Sequence, residues 1–207
     1  MTEHFLAFPA PPGPCSLDQL TDGDRAALAD LAKGKNFIIE VGTFLGGSAE
    51  IFLENSTAHV VCIDTFKGSE GENTGKVPRW AMLRYATERL SRFGDRVTII
   101  AGDSRQTAQF IANEAADLIF LDAAHDYENV KADIGAWRQK LRQGGTFAGH
   151  DFPKMLETLS EAEMMERSLL PFCPLTGIHY GVIRAACESF NQIMLHGNPE
   201  SSVWTGR

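Results

Sequence analysis

The stretch FLDAAHDY, residues 120–127, carries an apolar run straight into Asp122, His125 and Asp126. A second junction of the same kind, GTFAGHD, ends on His150 and Asp151. A carboxylate at the rim of a core needs a partner, because an unpaired buried charge costs several kcal/mol or shifts its pKa until it is neutral. Acids beside imidazoles therefore imply a polar site, and a histidine, with an unperturbed pKa near ~6.5, moves protons close to neutral pH.

The elements that must position these residues are short β-branched runs alternating with amphipathic stretches. FIIEV, HVVCID, RVTII, DLIFLD and GTFAGHD are the strands this pattern predicts. Such alternation specifies an α/β fold, a mostly parallel sheet with helices on both faces. The clearest helix is 127–141, where Val130, Ile134, Trp137 and Leu141 form one stripe. Lys131, Asp133, Arg138 and Lys140 then face outward, Asp126 caps the start and Gly144-Gly145 ends the helix. Leu83, Ala86 and Leu90 predict a helix after Pro78, and Ile111 and Ala115 another after Asp103.

Near the N-terminus, SLDQ from Ser16 and TDGD from Thr21 both offer helix starts, followed by Leu28 and Leu31. This predicts a helical extension, 1–34, packed outside the main sheet. The Gly-rich stretch 66–77 reads as a loop. Segment 153–178 interrupts the strand–helix rhythm, and its polarity fits a lid over a site or a plain surface helix equally. After it, HYGV from His179 reads as a strand or turn feeding a helix over 184–195, and SVWT from Ser202 as a last edge strand. With no linker or repeat, 1–207 reads as one domain, with a core over 36–151.

In parallel α/β sheets, ligands collect beyond the carboxyl ends of the strands. The first strand runs into EVGTFLGGS, Glu40 to Ser48, where Gly42, Gly46 and Gly47 allow a tight turn before a helix N-terminus. The dinucleotide pattern G-x-G-x-x-G fails here, because Glu40 and Leu45 stand where glycines would be needed. A carboxylate at Glu40 repels a pyrophosphate and attracts an ammonium group, which points to a zwitterionic ligand. Asp64 ends the second strand, placed to accept from ribose hydroxyls. Asp103 and Ser104 follow the third, suited to an adenine amino group.

Composition narrows the partners. The 207 residues are 43% hydrophobic with a net charge of -8 and no basic run, which argues against nucleic acid or an anionic membrane and for a small-molecule substrate. No apolar stretch approaches the ~20 residues of a membrane span, and the first residues lack a secretory pattern. A cytoplasmic protein is therefore expected, with a homo-oligomer left open. Cys15, Cys62, Cys173 and Cys187 show no metal-binding spacing and read as reduced structural thiols.

The series E-x-G-x-x-x-G-x-S, an acid ending the second strand, G-D-S, and L-D-x-x-H resembles the class I S-adenosylmethionine-dependent methyltransferases over 36–151. YGVIRAACESF, 180–190, adds to the likeness. The segment from FLDAAHDY to GHDF is similar to a branch holding catechol- and macrolide-sugar-type O-methyltransferases and cephalosporin-hydroxylase-like proteins. The resemblance implies a single Rossmann-like, doubly wound, seven-stranded sheet with an antiparallel edge strand. It also implies cofactor contacts from Glu40, Gly42, Gly46, Ser48, Asp64, Asp103, Ser104 and Asp122.

By the same resemblance, Asp122, His150 and Asp151 occupy the positions that bind a divalent cation (Mg, Mn or Fe) in metal-dependent members. His150 departs from the all-oxygen pattern and favours Mn, Fe or Zn over Mg; alternatively it forms a hydrogen-bonded pair with Asp151. His125 stands where related enzymes carry a proton-abstracting lysine, which implies a general base acting with Asp122; a solvent-facing histidine at a helix start is the plainer reading. The activity implied is methyl transfer to a hydroxyl of a small metabolite. A hydroxylase on the same fold, or cofactor binding without turnover, are the alternatives.

Overall fold

The computed structural model describes residues 19–68, 78–154 and 159–207. The helix start at Ser16, Cys15, most of the 66–77 loop and part of segment 153–178 lie outside these residues. Seven strands form one sheet: β1 (Phe37–Val41), β2 (His59–Asp64), β3 (Val97–Ala101), β4 (Ala116–Leu121), β5 (Leu141–Gly149), β6 (Ile193–Leu195) and β7 (Trp204–Gly206). Their order is β3-β2-β1-β4-β5-β7-β6. The first five are parallel, and β7 runs antiparallel to both β5 and β6. The antiparallel strand thus lies one place in from the edge, with β6 outside it.

The helices are α1 (Asp22–Ala32), α2 (Gly47–Glu54), α3 (Arg79–Leu90), α4 (Ser104–Ala108), α5 (Tyr127–Arg138), α6 (Glu161–Arg167) and α7 (Tyr180–Ser189). They cover both faces. Ile39, Val41, Ile119 and Leu121 pack with Val130, Ile134 and Trp137 of α5 and with Ile183 of α7. Ile38, Leu118 and Phe120 pack on the other face with Leu28 of α1 and Phe52 of α2. Successive strand residues alternate between these two cores, as a period of two demands. All six residues of β4 are buried, because both sides are covered.

The sheet changes direction between β1 and β4: β1 leads outward to β2 and β3, while β4 leads the other way to β5. The crevice at such a switch point is where a parallel sheet offers space for a ligand.

Several sequence expectations shift. The helix expected over 127–141 ends at Arg138, and Leu141 opens β5. Gly144-Gly145 does not terminate it; the pair lies within β5, where pairing shifts between Ala116 and Leu118. Leu141 continued the helical stripe only by coincidence of spacing. Asp133 and Lys140 do not face outward: both are buried, Asp133 accepting from Ser104 Oγ and Lys140 Nζ donating to Asn113 Oδ1 at 2.7 Å. Helix α4 stops at Ala108, so Ile111 and Ala115 fall in the turn before β4. Helix α7 begins at Tyr180 rather than Arg184, and Leu195 belongs to β6. Among the described residues, no helix is long and apolar enough to cross a membrane.

Candidate active site

The residue following each central strand remains hydrogen-bonded to its neighbour. Gly42 N donates to Ile63 O at 2.8 Å, Asp122 N to Val41 O at 2.8 Å, His150 N to Leu121 O at 3.2 Å and Gly102 N to Asp64 O at 2.9 Å. The strand ends are therefore level, and their polar residues emerge along one edge. A cleft of about 830 Å³ lies over that edge, lined in part by Gly42, Asp64, Asp103, Asp122, His125 and Asp151.

At one end of the cleft the backbone is drawn tight. Gly42 has φ +95°, and a Cβ there would stand 1.8 Å from the carbonyl oxygen of Asp122, so only glycine fits between β1 and β4. Asp64 accepts from Phe44 N at 2.7 Å through Oδ2 and from Phe66 N at 2.6 Å through Oδ1. Both phenylalanines have positive φ, +47° and +53°, a conformation that costs on the order of 1–3 kcal/mol each and needs such an anchor. Burial pushes the Asp64 carboxyl up, against these backbone donors, which lower it. A third backbone donor, from Thr43, also engages the carboxylate, which with about four acceptor sites still has room for a ligand hydroxyl.

Asp103 caps α4, accepting from Gln106 N at 3.0 Å, and still lines the cleft. Ser104 lines it too while its hydroxyl donates to Asp133. Ser48 also reaches the wall. Glu40 does not: it is fully buried on the Ile38 side of β1, and Ser48 Oγ donates to its Oε1 at 2.5 Å. The expected direct contact of Glu40 with a ligand ammonium is thus replaced by a supporting role beneath Ser48. Burial raises its carboxyl to about 7. Gly46, with φ +79°, is the N-cap of α2 and shapes the turn rather than the wall.

At the other end, three histidines gather around Asp151. His125 Nε2 lies 3.0 Å from Asp151 Oδ2 and 3.8 Å from Asp122 Oδ1. His150 Nδ1 lies 3.1 Å from Asp151 Oδ1 and 3.9 Å from Asp122 Oδ2. His179, the N-cap of α7, places Nε2 4.0 Å from Asp151 Oδ1 and stacks its ring on His125 with centroids 4.2 Å apart. Asp151 itself sits at φ +66°, a strained conformation of the kind that clusters at functional sites.

His150 is held from behind. Its Nε2 meets Asp24 Oδ2 at 3.3 Å and Ser202 Oγ at 3.0 Å, and its carbonyl accepts from Trp204 Nε1 at 2.9 Å. Burial disfavours a charged ring, yet Asp122, Asp151 and Asp24 raise His150 well above its usual range. Burial would likewise raise Asp151, yet His150 and His125 hold it well below the usual carboxylate range.

Asp122, His125, His150 and Asp151, expected from the motifs, are thus brought together. Asp24, His179 and Ser202 were not expected there. Asp24 carried a signal, but it reads as an N-terminal capping box with Thr21, which the structure also contains. Asp126 caps α5 as expected, accepting from Asn129 N at 3.1 Å. The hydroxyl of Tyr127, the first residue of α5, donates to Glu188 at 2.6 Å, and Arg184 lies over its ring.

The sequence profile of a methyltransferase domain matches residues 39–152. The chain belongs to that family, and the resemblance of its motifs to S-adenosylmethionine-dependent methyltransferases holds. Similar folds include an SAH-bound methyltransferase from Podospora anserina (TM-score 0.60, 17% identity, covering 91% of this chain and 78% of that one). An O-methyltransferase from Bacillus cereus in complex with SAH has a TM-score of 0.58 at 20% identity, over 93% and 83% of the two chains. TomG of Streptomyces achromogenes, an O-methyltransferase of tomaymycin synthesis in complex with SAM, has a TM-score of 0.58 at 15% identity, over 90% and 79%. A search of curated proteins gives no match.

Proposed function

We propose that this protein transfers a methyl group from S-adenosylmethionine to a hydroxyl of a small molecule. One observation carries the reading: a single cleft has the Gly42 turn with Asp64 and Asp103 at one end and the histidine–aspartate cluster at the other. The neighbours that hold SAM or SAH, two of them O-methyltransferases, support it.

Asp64 would accept from the ribose hydroxyls through its remaining lone pairs. Asp103 and Ser104 face the adenine end, and Gly42, Ser48 and Asp122 the amino-acid end. When bound, the cofactor supplies a methyl group already activated by its sulfonium, so the protein's task is alignment, exclusion of water and control of the acceptor's proton. Phe172 and Gly177, from segment 153–178, line the cleft and limit water there, which fits the lid reading. His125 is the group that takes the acceptor's proton, with Asp151 beside it to hold the resulting imidazolium.

Asp122, His150 and Asp151 would hold a divalent cation if one is used. The donor set fits: Asp24 and Ser202 engage Nε2 of His150 and leave Nδ1 on the side of both carboxylates. Such an ion would orient an acceptor hydroxyl and acidify it; its nitrogen ligand favours Mn or Fe over Mg.

Incubation of the protein with methyl-labelled S-adenosylmethionine and pooled small metabolites tests this reading. Label in a new hydroxyl-derived ether is the expected result. An unlabelled product that requires metal and oxygen, or no binding of S-adenosylhomocysteine by calorimetry, overturns it.

A further inference from the structure

Asp151 belongs to two sets of donors. Asp122, His150 and Asp151 form one, and His125, His179 and Asp151 the other; within each set the ligand atoms lie within 4.8 Å of one another. We propose that His125, His179 and Asp151 bind a transition-metal dication, in a site distinct from the one built on Asp122 and His150. The proposal goes beyond the methyl-transfer reading and does not depend on it.

The atoms face the right way. His179 Nδ1 lies 2.5 Å from the carbonyl oxygen of Pro171. A carbonyl only accepts, so Nδ1 carries the proton, and in the neutral ring Nε2 presents its lone pair toward Asp151 Oδ1, 4.0 Å away. A histidine whose far nitrogen donates to a carbonyl is the usual form of a metal ligand, because that bond fixes both tautomer and ring orientation. His125 Nε2 points into the same space, 3.0 Å from Asp151 Oδ2. An electron-rich nitrogen facing carboxylate oxygens needs a proton or a cation between them.

The spacing is close to that of a formed centre. Metal–nitrogen and metal–oxygen bonds of about 2.0–2.2 Å put neighbouring ligand atoms roughly 3–3.5 Å apart. The His125 contact already meets this. The His179 contact must close by less than ~1 Å, a movement within reach of side-chain rotation. The side chains are mostly buried, with 14%, 22% and 17% exposure for His125, His179 and Asp151. His125 and His179 are stacked, and two neutral rings sharing one cation avoid the repulsion that two imidazolium rings would suffer there.

The donor set also decides the ion. Two imidazoles and one carboxylate select Fe(II), Mn(II), Co(II) or Zn(II) over Mg(II), which prefers all-oxygen shells. Occupation takes the Nε2 lone pair of His125, so the loaded and metal-free proteins differ in the group that receives an acceptor's proton.

Titration of the chelator-treated full chain with Co(II), in excess Mg(II) and without cofactor, tests the site through the visible absorption of nitrogen-ligated cobalt. The expected result is saturable uptake that His179→Ala, His179→Gln and His125→Ala each weaken by about tenfold or more, while Asp122→Asn, which removes a nearby charge but no ligand of this site, weakens it less than any of the three. Binding of S-adenosylhomocysteine, measured by calorimetry on the histidine variants, reports a folded cleft, and the thermal melt of Asp122→Asn reports its fold. Retained cobalt affinity in both His179 variants with loss in Asp122→Asn places the ion in the other donor set and overturns the proposal. So does the absence of Co(II), Mn(II) and Zn(II) uptake in a protein that still binds S-adenosylhomocysteine. Failure to bind that product by a protein that does take up cobalt counts against the methyl-transfer reading alone.

Discussion

Asp24, in the first helix, places a carboxylate oxygen 3.3 Å from Nε2 of His150 at the end of the fifth strand. The same carboxylate accepts from Ser202 N at 2.9 Å through Oδ1 and from Thr21 through Oδ2. It therefore ties the N-terminal helix, the end of β5 and the approach to β7 to one histidine of the cluster.

This pair makes stability pH-dependent in the metal-free protein. Burial would raise Asp24, but His150 and Thr21 hold it well below the usual carboxylate range, so its contribution is present above about pH 4 and is lost as pH falls through the folded value. His150 is raised, so its contribution is full below about pH 6.5 and is lost as pH rises through the folded value. Asp24→Ala should cost on the order of 3 kcal/mol within that window, by removing the carboxylate that faces Nε2 of a buried histidine. Urea denaturation across pH should show the difference from the parent shrinking at both extremes. A constant difference would remove the ion pair as its cause.

Glu40 works in the opposite direction. Burial raises its carboxyl to about 7, so the folded protein binds a proton that the unfolded chain has already lost. Stability should then fall as pH rises from about 4.5 to 7, by roughly 3 kcal/mol at most. Glu40→Gln keeps an acceptor for Ser48 and carries no charge, and should flatten that slope. Parallel denaturation series for the two proteins check it; identical slopes count against the assignment.

Replacing Asp64 should affect both ligand and fold. Asp64→Ala removes the acceptors proposed for the ribose and leaves the N–H groups of Phe44 and Phe66 without their anchor. Affinity for S-adenosylhomocysteine should fall at least about tenfold, or ~1.4 kcal/mol, with a loss of stability of about 1–3 kcal/mol. Calorimetry and thermal melting measure the two separately, and an unchanged dissociation constant speaks against the ribose contact.

His125→Ala should separate binding from turnover. The residue lies at the cluster end of the cleft, away from Asp64 and Asp103, so cofactor affinity should hold while kcat falls about a hundredfold or more. Full activity in the metal-free variant would exclude it as the proton acceptor.

Gly42→Ala should be among the most damaging small changes. A methyl group would overlap the Asp122 carbonyl, at a backbone angle that side chains rarely adopt. A loss of about 2 kcal/mol or more is expected, seen as a lowered melting temperature together with weakened cofactor binding.

The central sheet was legible because β-branched runs ending in acids leave few other arrangements. FIIEV, HVVCID and DLIFLD became β1, β2 and β4 with little change, and the acids after them met at one edge because parallel strands share a carboxyl end. Boundaries set by weaker signals moved. Leu141 extended a helical stripe that ended at Arg138, and Gly144-Gly145, read as a terminator, became an irregularity within β5. The sidedness of Glu40 was also missed. Its acid character was plain, but parity along β1 turned it into the core beneath α2.

From the sequence alone came the parallel sheet and the acids and histidines at its carboxyl edge, because periodicity and spacing are local properties of the chain; the family came from the resemblance of its motifs. The tertiary structure alone decided which of those groups touch. Asp24 reaches His150, and His179 joins His125 at Asp151, across long separations in the chain, and no local pattern records such a meeting. Packing of α1 and α7 against the strand ends creates it, and burial there, set against the paired charges, decides how strongly each is held.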